Sequence, residues 1–398
     1  MLLVHLNFPS SEGGDGSGRG ALRIEKGKIS TVIPHLDQLP EGEAVFDCGG
    51  CTLTPGLIDL HTHFTGLGES YSPSDCQQPM KLLTEAIGVV GGYLDHGFTT
   101  IRDCGSVGRA ANFVRDLADE GLVRGPHILS CGLILSPTEI ERADSIYEMY
   151  TFADGPYAFR AAARRELAEH GDFVKLMASG AAFHPQGVPL EPIIAPDELR
   201  EAVETAARKG TYVAAHAHAD GAIRACVEAG VRTIEHGTYL SEETLSRLEQ
   251  TEGCYLVPTL AAMFVSGSDE TGFWHKRLGA MLDACCQGLS KAYQRGLKIG
   301  FGTDCAPFSR QYREGTEFVY RKENCGMADA DILAQATSVS AEIAGLTDRG
   351  ALKPGMRADL ALWEGDPSTD IMTLAKTPKA VWLDGELVGG TLYANRKE

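Results

Sequence analysis

Basic residues are scarce in this chain. Its 398 residues include 36 Lys and Arg against 54 Asp and Glu, which gives a formal net charge of −18 at pH 7. No cluster of basic residues interrupts this acidity. Because nucleic acids and anionic membranes repel an acidic surface, we expect neither of them as a partner.

Long apolar runs are also missing. No stretch approaches the roughly 20 residues of a membrane span. The first residues, Met1-Leu2-Leu3-Val4-His5-Leu6, have neither the positive start nor the long apolar core of a signal peptide. The 11 cysteines follow no regular framework, as is typical of reduced thiols, and we favour plain packing for Cys104 and Cys305. These absences predict a cytoplasmic location.

The chain does contain enough apolar material for a large core. Hydrophobic residues make up 43% of it, and its mean hydropathy is −0.12, as is typical of a soluble globular protein. A length of 398 residues exceeds one ordinary domain. It suits a barrel of roughly 250 residues together with an accessory domain.

The middle of the chain alternates strand and helix. Eight β-prone segments are separated by stretches long enough to cross over between parallel strands. This is the count that a (β/α)8 barrel requires, so we predict that α/β fold. The predicted strands are Leu57–His61, Thr99–Asp103, His127–Cys131, Phe173–Met177, Thr211–His216, Val231–His236, Tyr255–Thr259 and Lys298–Gly302.

Both ends of the chain are rich in short strands. Residues 21–33 alternate in polarity around a Lys26-Gly27 turn, which is typical of a hairpin, and residues 358–388 have a similar character. Neither end has enough strands to bury a face by itself. We therefore predict a small β-sandwich domain formed by residues 1–54 and 355–398, and a barrel formed by residues 55–354.

Five segments carry residues of the kinds that bind metal ions, most of them at the end of a predicted strand. In a barrel these strand ends face one shared cavity. His61 and His63 are two residues apart and so point the same way, and two imidazoles on one face can hold zinc, iron or nickel. The segments are Asp59-Leu60-His61-Thr62-His63, Phe173-Val174-Lys175, Ala215-His216-Ala217-His218, Glu235-His236-Gly237 and Gly302-Thr303-Asp304.

Two of these residues have more than one interpretation. Lys175 ends an apolar strand inside the barrel, where an amine is costly unless it is neutralised or paired. A salt bridge with Asp172 or with a barrel carboxylate is one explanation. Asp304 can bind a metal and carry a proton from water to a leaving amine, although a helix N-cap would occupy the same position.

Other side chains could contact a substrate. We interpret His216 as the metal ligand of the fifth strand, and His218, one step further out, as a group behind the ligands or in contact with substrate. His184 lies in the loop after the fourth strand and Tyr239 follows the sixth, so both could line the mouth of the site. Arg102 ends the second strand and could bind a substrate carboxylate, but a structural ion pair is the stronger interpretation.

These motifs resemble those of the amidohydrolase superfamily of metal-dependent hydrolases, over essentially the whole chain. Residues 54–63, Thr-Pro-Gly-Leu-Ile-Asp-Leu-His-Thr-His, are similar to its first motif, and residues 302–304, Gly-Thr-Asp, to its last. Residues 353–360 and 365–367 resemble its return into a β-sandwich. The segments 97–103, 174–180 and 214–218 resemble the branch that includes imidazolonepropionases and prolidases.

The resemblance implies a binuclear metal centre. His61, His63 and Asp304 would hold the more buried ion, and His216 and His236 would hold the other. Lys175 would be carboxylated on its amine and would bridge the two ions together with a hydroxide. The implied cofactors are two divalent ions, with zinc as the expected element.

The implied activity is hydrolysis of an amide-type C–N bond in a small molecule, such as a dipeptide or an N-acyl amino acid. Asp304 would act as the general base and then as the acid. One departure concerns the predicted loop after the third strand, residues 132–137, which lacks the Gly-Gly-His segment common in peptidases of this branch. The substrate is therefore left open.

Three alternatives remain at this point. A cyclic amide or lactone could be hydrolysed by the same chemistry. A deaminase would resemble enzymes with Glu three residues after the fifth-strand histidine, where this chain has Ala219. A non-catalytic assembly scaffold would be expected to have lost its metal ligands, whereas all six are present. The oligomeric state is open, a homo-oligomer included.

Overall fold

The computed structural model describes residues 1–63, 79–138, 147–182, 190–263, 273–304 and 315–395. Its strands are β1 (Leu2–Leu6), β2 (Gly20–Glu25), β3 (Lys28–Ile33), β4 (Val45–Asp47), β5 (Thr52–Pro55), β6 (Leu57–Thr62), β7 (Phe98–Asp103), β8 (His127–Ser130), β9 (Ile134–Ser136), β10 (Tyr150–Phe152), β11 (Val174–Met177), β12 (Val213–Ala217), β13 (Thr233–His236), β14 (Tyr255–Val257), β15 (Leu360–Trp363), β16 (Ala380–Leu383) and β17 (Glu386–Gly389).

Helices alternate with the strands of the middle region. They are α1 (Pro79–Asp95), α2 (Ala110–Asp119), α3 (Pro156–Ala168), α4 (Pro196–Arg208), α5 (Asp220–Ala229), α6 (Glu242–Gln250), α7 (Phe273–Gln294), α8 (Thr316–Val319), α9 (Asp329–Ala334), α10 (Ser340–Ala344) and α11 (Thr391–Ala394), and α8 and α9 run on into the π-helical turns Tyr320–Asn324 and Gln335–Val339. Within the described ranges, no helix is both long and apolar enough to cross a membrane.

Amphipathic spacing explains how the helices cover the barrel. In α4, Leu199, Ala202 and Ala206 are fully buried and recur at the three- and four-residue spacing that places side chains on one face. Pro196 stands in the first turn, where its missing N–H costs nothing. The strands inside this ring are buried on both faces, as is expected of parallel strands covered by helices.

The parallel strands close into a barrel. One parallel set is β6-β7-β8, and the other is β9-β11-β12-β13-β14, with β10 added beside β9. Asp172 N donates to Ser130 O at 2.7 Å, which joins the two sets at β8. At the other seam, Gly300 N donates to Leu256 O at 2.8 Å and Leu60 N to Phe301 O at 2.8 Å. The predicted (β/α)8 fold is confirmed.

Two predicted details of the barrel were wrong. The eighth strand, expected at 298–302, is not a regular strand: apart from the hydrogen bonds that close the barrel, it has one isolated bridge, between Ile299 and Leu256. Glycine is required there, since a Cβ on Gly302 would lie 2.9 Å from His61 Cβ, and glycine weakens a strand. The segment after the third strand was expected to be a loop, but it contains β9 and β10, because Leu135 pairs with Leu176 of β11.

The two ends of the chain form a pair of four-stranded sheets. One sheet has the order β3-β2-β1-β4 and the other β17-β16-β15-β5. Their shared core includes Leu3, Leu22, Leu53, Leu360 and Trp382. The division of the chain into domains near residues 54 and 355 stays a prediction.

Candidate metal centre

The structure brings the predicted ligands together at the carboxyl ends of the barrel strands. His61 lies in β6 and His63 directly after it, while His216 lies in β12 and His236 ends β13. The ring centroids of His61 and His236 are 4.8 Å apart, and those of His216 and His236 are 4.5 Å apart. Lys175 lies in β11, next to β12 in the sheet.

Two groups of side chains could each hold one ion. Position A consists of His61, His63 and Asp304, and position B contains His216, His218 and His236, of which we interpret His216 and His236 as the ligands. In each group one ligand atom per residue lies within 4.8 Å of the others.

Position A fits a metal ion closely. Asp304 Oδ1 lies 3.3 Å from His63 Nε2 and 3.7 Å from His61 Nε2. Ligands about 2 Å from one zinc ion have separations of about this size. His61 Nε2 and Asp304 Oδ1 are buried and have no hydrogen-bond partner among the described residues. An ion between them would satisfy both atoms.

Each imidazole is fixed from behind by one ring nitrogen, which leaves the other nitrogen for a metal. These outer contacts are His61 Nδ1 to Glu235 Oε2 (2.7 Å), His63 Nδ1 to Gly105 O (2.6 Å), His218 Nδ1 to Thr238 Oγ1 (2.8 Å), His236 Nδ1 to Thr259 Oγ1 (2.7 Å) and His216 Nε2 to Gly180 O (3.3 Å).

Burial keeps four of the imidazoles neutral. Desolvation, with neighbouring positive charges as a smaller cause, holds the pKa of His61, His216 and His236 well below the usual value. It lowers the pKa of His218 to about 3. A neutral imidazole is the form that binds metal, so the histidines are ready to act as ligands at neutral pH.

Lys175 is buried without a counter-charge. Its side chain is 1% exposed, and no ion pair or hydrogen bond of its amine occurs within the described residues. Asp172, one of the salt-bridge partners considered for Lys175, pairs with Arg115 at 2.8 Å. The Lys175 charge contributes, after burial, to the lowered pKa of His61. A free ammonium among imidazoles is unfavourable unless a partner compensates its charge.

Two of the ligands have strained backbones. His236 has φ +69° and Asp304 has φ +53°, a left-handed conformation that side-chain-bearing residues adopt rarely. Asp304 is held in it by its N–H, which donates to His61 O at 2.7 Å. Such strain is typical of functional positions, where the surrounding structure compensates for its cost.

Sequence reasoning missed two carboxylates that support the site. Asp59 accepts hydrogen bonds from His61 N (3.0 Å), Thr303 N (3.1 Å) and Thr303 Oγ1 (2.6 Å), and burial raises its pKa to about 7. Glu235 contacts His61 from the opposite side. Both stand inside the ligand-bearing segments, and a carboxylate adjacent to a ligand in an apolar strand was the signal available.

The substrate-contact candidates are placed differently from one another. Arg102 is fully buried and donates to Glu235 Oε1 at 2.7 Å, which is the structural ion pair favoured over a substrate contact. Tyr239 is half-buried, and its N–H donates to His218 O at 3.0 Å. His218 lies against the ring of His236. His184 falls outside the described residues.

Comparisons with known proteins identify the family. The amidohydrolase family model matches residues 52–388. The chain is 28% identical over 373 residues to the ochratoxinase of Aspergillus niger, across 85% of this chain and 76% of that protein. It is 25% identical over 396 residues to the imidazolonepropionase of Paracoccus denitrificans, across 92% and 94%.

A solved structure agrees with these matches. A prolidase complexed with N-methylphosphonate-L-proline superposes with a TM-score of 0.84 and 27% identity, over 98% of this chain and 99% of that one. The chain therefore belongs to the amidohydrolase family, in the branch of imidazolonepropionases and prolidases, and is a hydrolase that acts on carbon–nitrogen bonds.

Proposed function

We propose that this protein is a binuclear metal-dependent hydrolase that cleaves the amide bond of a dipeptide, an N-acyl amino acid or a related small amide. The observation that carries this proposal is the pair of adjacent ligand groups, positions A and B, with the uncompensated Lys175 between their strands. One ion would need only one of these groups and would give Lys175 no role.

The donor set fits two divalent ions, with zinc as the expected element. Position A offers two imidazoles and a carboxylate, and position B offers two imidazoles. Lys175, as a carbamate, would replace a buried cation by an anion with two oxygens, one for each position. Bound ions would supply Lewis acidity, which makes water nucleophilic at neutral pH and polarises a carbonyl.

Asp304 is the group that moves the proton. It accepts a proton from the attacking water and delivers it to the leaving nitrogen as the C–N bond breaks, so that the products are a carboxylic acid and an amine. Its Oδ1 has no hydrogen-bond partner among the described residues, and its side chain is 9% exposed at the end of the barrel. The carboxylate therefore keeps an oxygen without a hydrogen-bond partner among the described residues, while a small part of the side chain is exposed at the end of the barrel.

A cyclic amide is the second candidate substrate, since the imidazolonepropionase of P. denitrificans is a relative over nearly the whole chain. Deamination is not supported. Asp220, the carboxylate nearest the missing glutamate position, accepts from Ser241 N at 2.8 Å and from Arg224 at 2.8 Å. Its oxygens are engaged in capping α6 and in an ion pair on α5, so it does not serve as a proton shuttle.

A hydrolysis screen tests the proposal. The zinc-loaded protein is assayed against libraries of dipeptides, N-acyl amino acids and lactams, with metal content measured by atomic emission. Turnover in the first two libraries, with two ions per chain, is the expected result. Turnover of lactams alone would favour the cyclic-amide candidate, and a purified protein that binds no metal would overturn the proposal.

Lys175 has its own test. Carbon-13 NMR of protein prepared with labelled bicarbonate is expected to show a carbamate signal that is missing from Lys175→Ala. A wild-type protein with two bound ions and no such signal would remove the carbamate from the proposal.

A further inference from the structure

The imidazoles of the metal centre differ in the group that each one contacts through the ring nitrogen facing away from the metal position. His61 contacts a carboxylate, Glu235, at 2.7 Å. The other four contact neutral groups, either hydroxyls or main-chain carbonyls, at Thr259, Thr238, Gly105 and Gly180. A carboxylate behind an imidazole raises its basicity as a ligand more than a neutral acceptor does. Position A, which contains His61, therefore has the stronger donor.

Glu235 is anchored so that one oxygen serves His61 alone. Its Oε1 accepts from Arg102 Nη2 at 2.7 Å and from Thr233 Oγ1 at 2.5 Å. Its Oε2 is left facing His61 Nδ1. Glu235 and Arg102 are both fully buried, so water cannot replace either partner.

Arg102 holds this carboxylate in a fixed place. Its Nε donates to Leu60 O at 2.6 Å, in the residue before His61, and its guanidinium lies over the Phe173 ring at 5.1 Å. Burial alone would lower the pKa of Arg102, but the Glu235 carboxylate, Tyr212 and Cys104 together raise it on balance. Arg102 therefore keeps its positive charge next to Glu235.

The charges of the ligands also favour tighter metal binding at position A. Position A includes the Asp304 carboxylate, whereas position B has only imidazoles until Lys175 is modified. A divalent cation is attracted more strongly to the position with anionic groups, and the low dielectric of the interior enlarges that difference.

We propose that Glu235, fixed by Arg102, is a positioning residue that makes position A the tighter of the two metal positions, so that it fills first. Glu235 touches neither the ions nor the substrate and acts through His61. This inference rests on the proposed binuclear centre.

Cobalt titration of the full-length, metal-free protein tests the inference, with visible absorption as the readout and a competing chelator to reach tight affinities. The wild-type protein is expected to fill in two separate steps. Glu235→Gln should weaken the first step about 10- to 100-fold and leave the second unchanged. Thr259→Val, the matched control, removes the neutral partner of His236 and should weaken only the second step.

Glu235→Gln leaves the buried Arg102 charge unpaired and can prevent folding. A second variant keeps the inference testable in that case. The double variant Glu235→Gln/Arg102→Gln removes both charges and keeps an amide oxygen for His61. In the folded double variant the first step should still be weakened. Equal steps in the wild type, or an unaltered first step in the double variant, would overturn the role of Glu235. A wild-type protein that binds no cobalt would instead refute the proposed function.

Discussion

Asp59 and Thr303 join the first strand of the barrel to its last segment. Thr303 Oγ1 donates to Asp59 Oδ2 at 2.6 Å, and Thr303 N donates to Asp59 Oδ1 at 3.1 Å. The same carboxylate accepts from His61 N at 3.0 Å. Two main-chain hydrogen bonds also cross this seam, Leu60 N to Phe301 O and Asp304 N to His61 O, and the Asp59 carboxylate reinforces them. These hydrogen bonds of Asp59 hold the segments that carry His61 and Asp304 in register.

Removing the Asp59 carboxylate should destabilise the protein. In Asp59→Ala, three buried donors lose their acceptor, and we expect the free energy of unfolding to fall by about 3 kcal/mol. Chemical denaturation measures the loss. Thr303→Val, which removes only one of the donors, is the control and should cost about 1 kcal/mol. Equal losses in the two variants would show that the carboxylate does not act as a shared acceptor.

The sequence could place the ligands because strand ends of a barrel converge whatever the details of packing. Position A and position B follow from the order of the strands and the two-residue period of β6. The outer contacts could not be foreseen in the same way. His61 and Glu235 are 174 residues apart, and their hydrogen bond depends on the tertiary arrangement of β6 and β13. The sequence alone therefore does not show that Glu235 contacts His61.

The errors at the barrel seam have a physical cause as well. A β-prone pattern at 298–302 predicts a strand. Neighbouring side chains, however, lie so close to Gly300 and Gly302 that only glycine fits: a Cβ added to Gly300 would lie 3.0 Å from Leu60 Cδ1. Propensity does not report such close approach. The sequence predicts a loop at Ile134 and Leu135, but both are buried and Leu135 pairs with β11, which makes them part of a strand.

Asp304→Asn should nearly abolish turnover. Asparagine keeps the shape of the side chain but cannot take a proton from water, so we expect kcat to fall by about 10²- to 10⁴-fold. The measurement is steady-state kinetics on the best substrate of the screen, together with metal content. Asp37→Asn, at an exposed ion pair with Arg19, is the control and should leave kcat unchanged. Asp304→Asn with both ions bound and full turnover would contradict the proton role.

His216 and His218 should respond differently to truncation. In our proposal His216 is the ligand in position B, with Nε2 donating towards Gly180 O and Nδ1 left for the ion, and His218 contacts the substrate, with Nδ1 on Thr238 Oγ1. We expect His216→Ala to bind one ion per chain in place of two. We expect His218→Ala to keep both ions and to lose about 10- to 100-fold in kcat/KM, a loss of roughly 1.4 to 2.7 kcal/mol. The reverse pattern of metal content would exchange the two assignments.

Arg109 and Glu166 fix the segment after the third strand, the place where this chain departs from the peptidases of its branch. Arg109 contacts the two Glu166 oxygens at 2.8 Å each, and Leu133 N and Thr151 Oγ1 donate to the same carboxylate at 3.1 Å. Glu166 is fully buried, and it links the start of β9 to β10.

Glu166→Gln should loosen this segment without unfolding the barrel around the metal centre. Breaking a buried pair from one side costs about 3 to 5 kcal/mol, and we expect a value near the lower limit because Arg109 is 25% exposed and can be hydrated. Hydrogen exchange should become faster in β9 and β10 than in β12. Glu201→Gln, which breaks an Arg–Glu pair on the surface between α3 and α4, is the matched control and should change neither region. Equal acceleration of exchange in β9, β10 and β12 would show that Glu166 supports the whole barrel and not this segment alone.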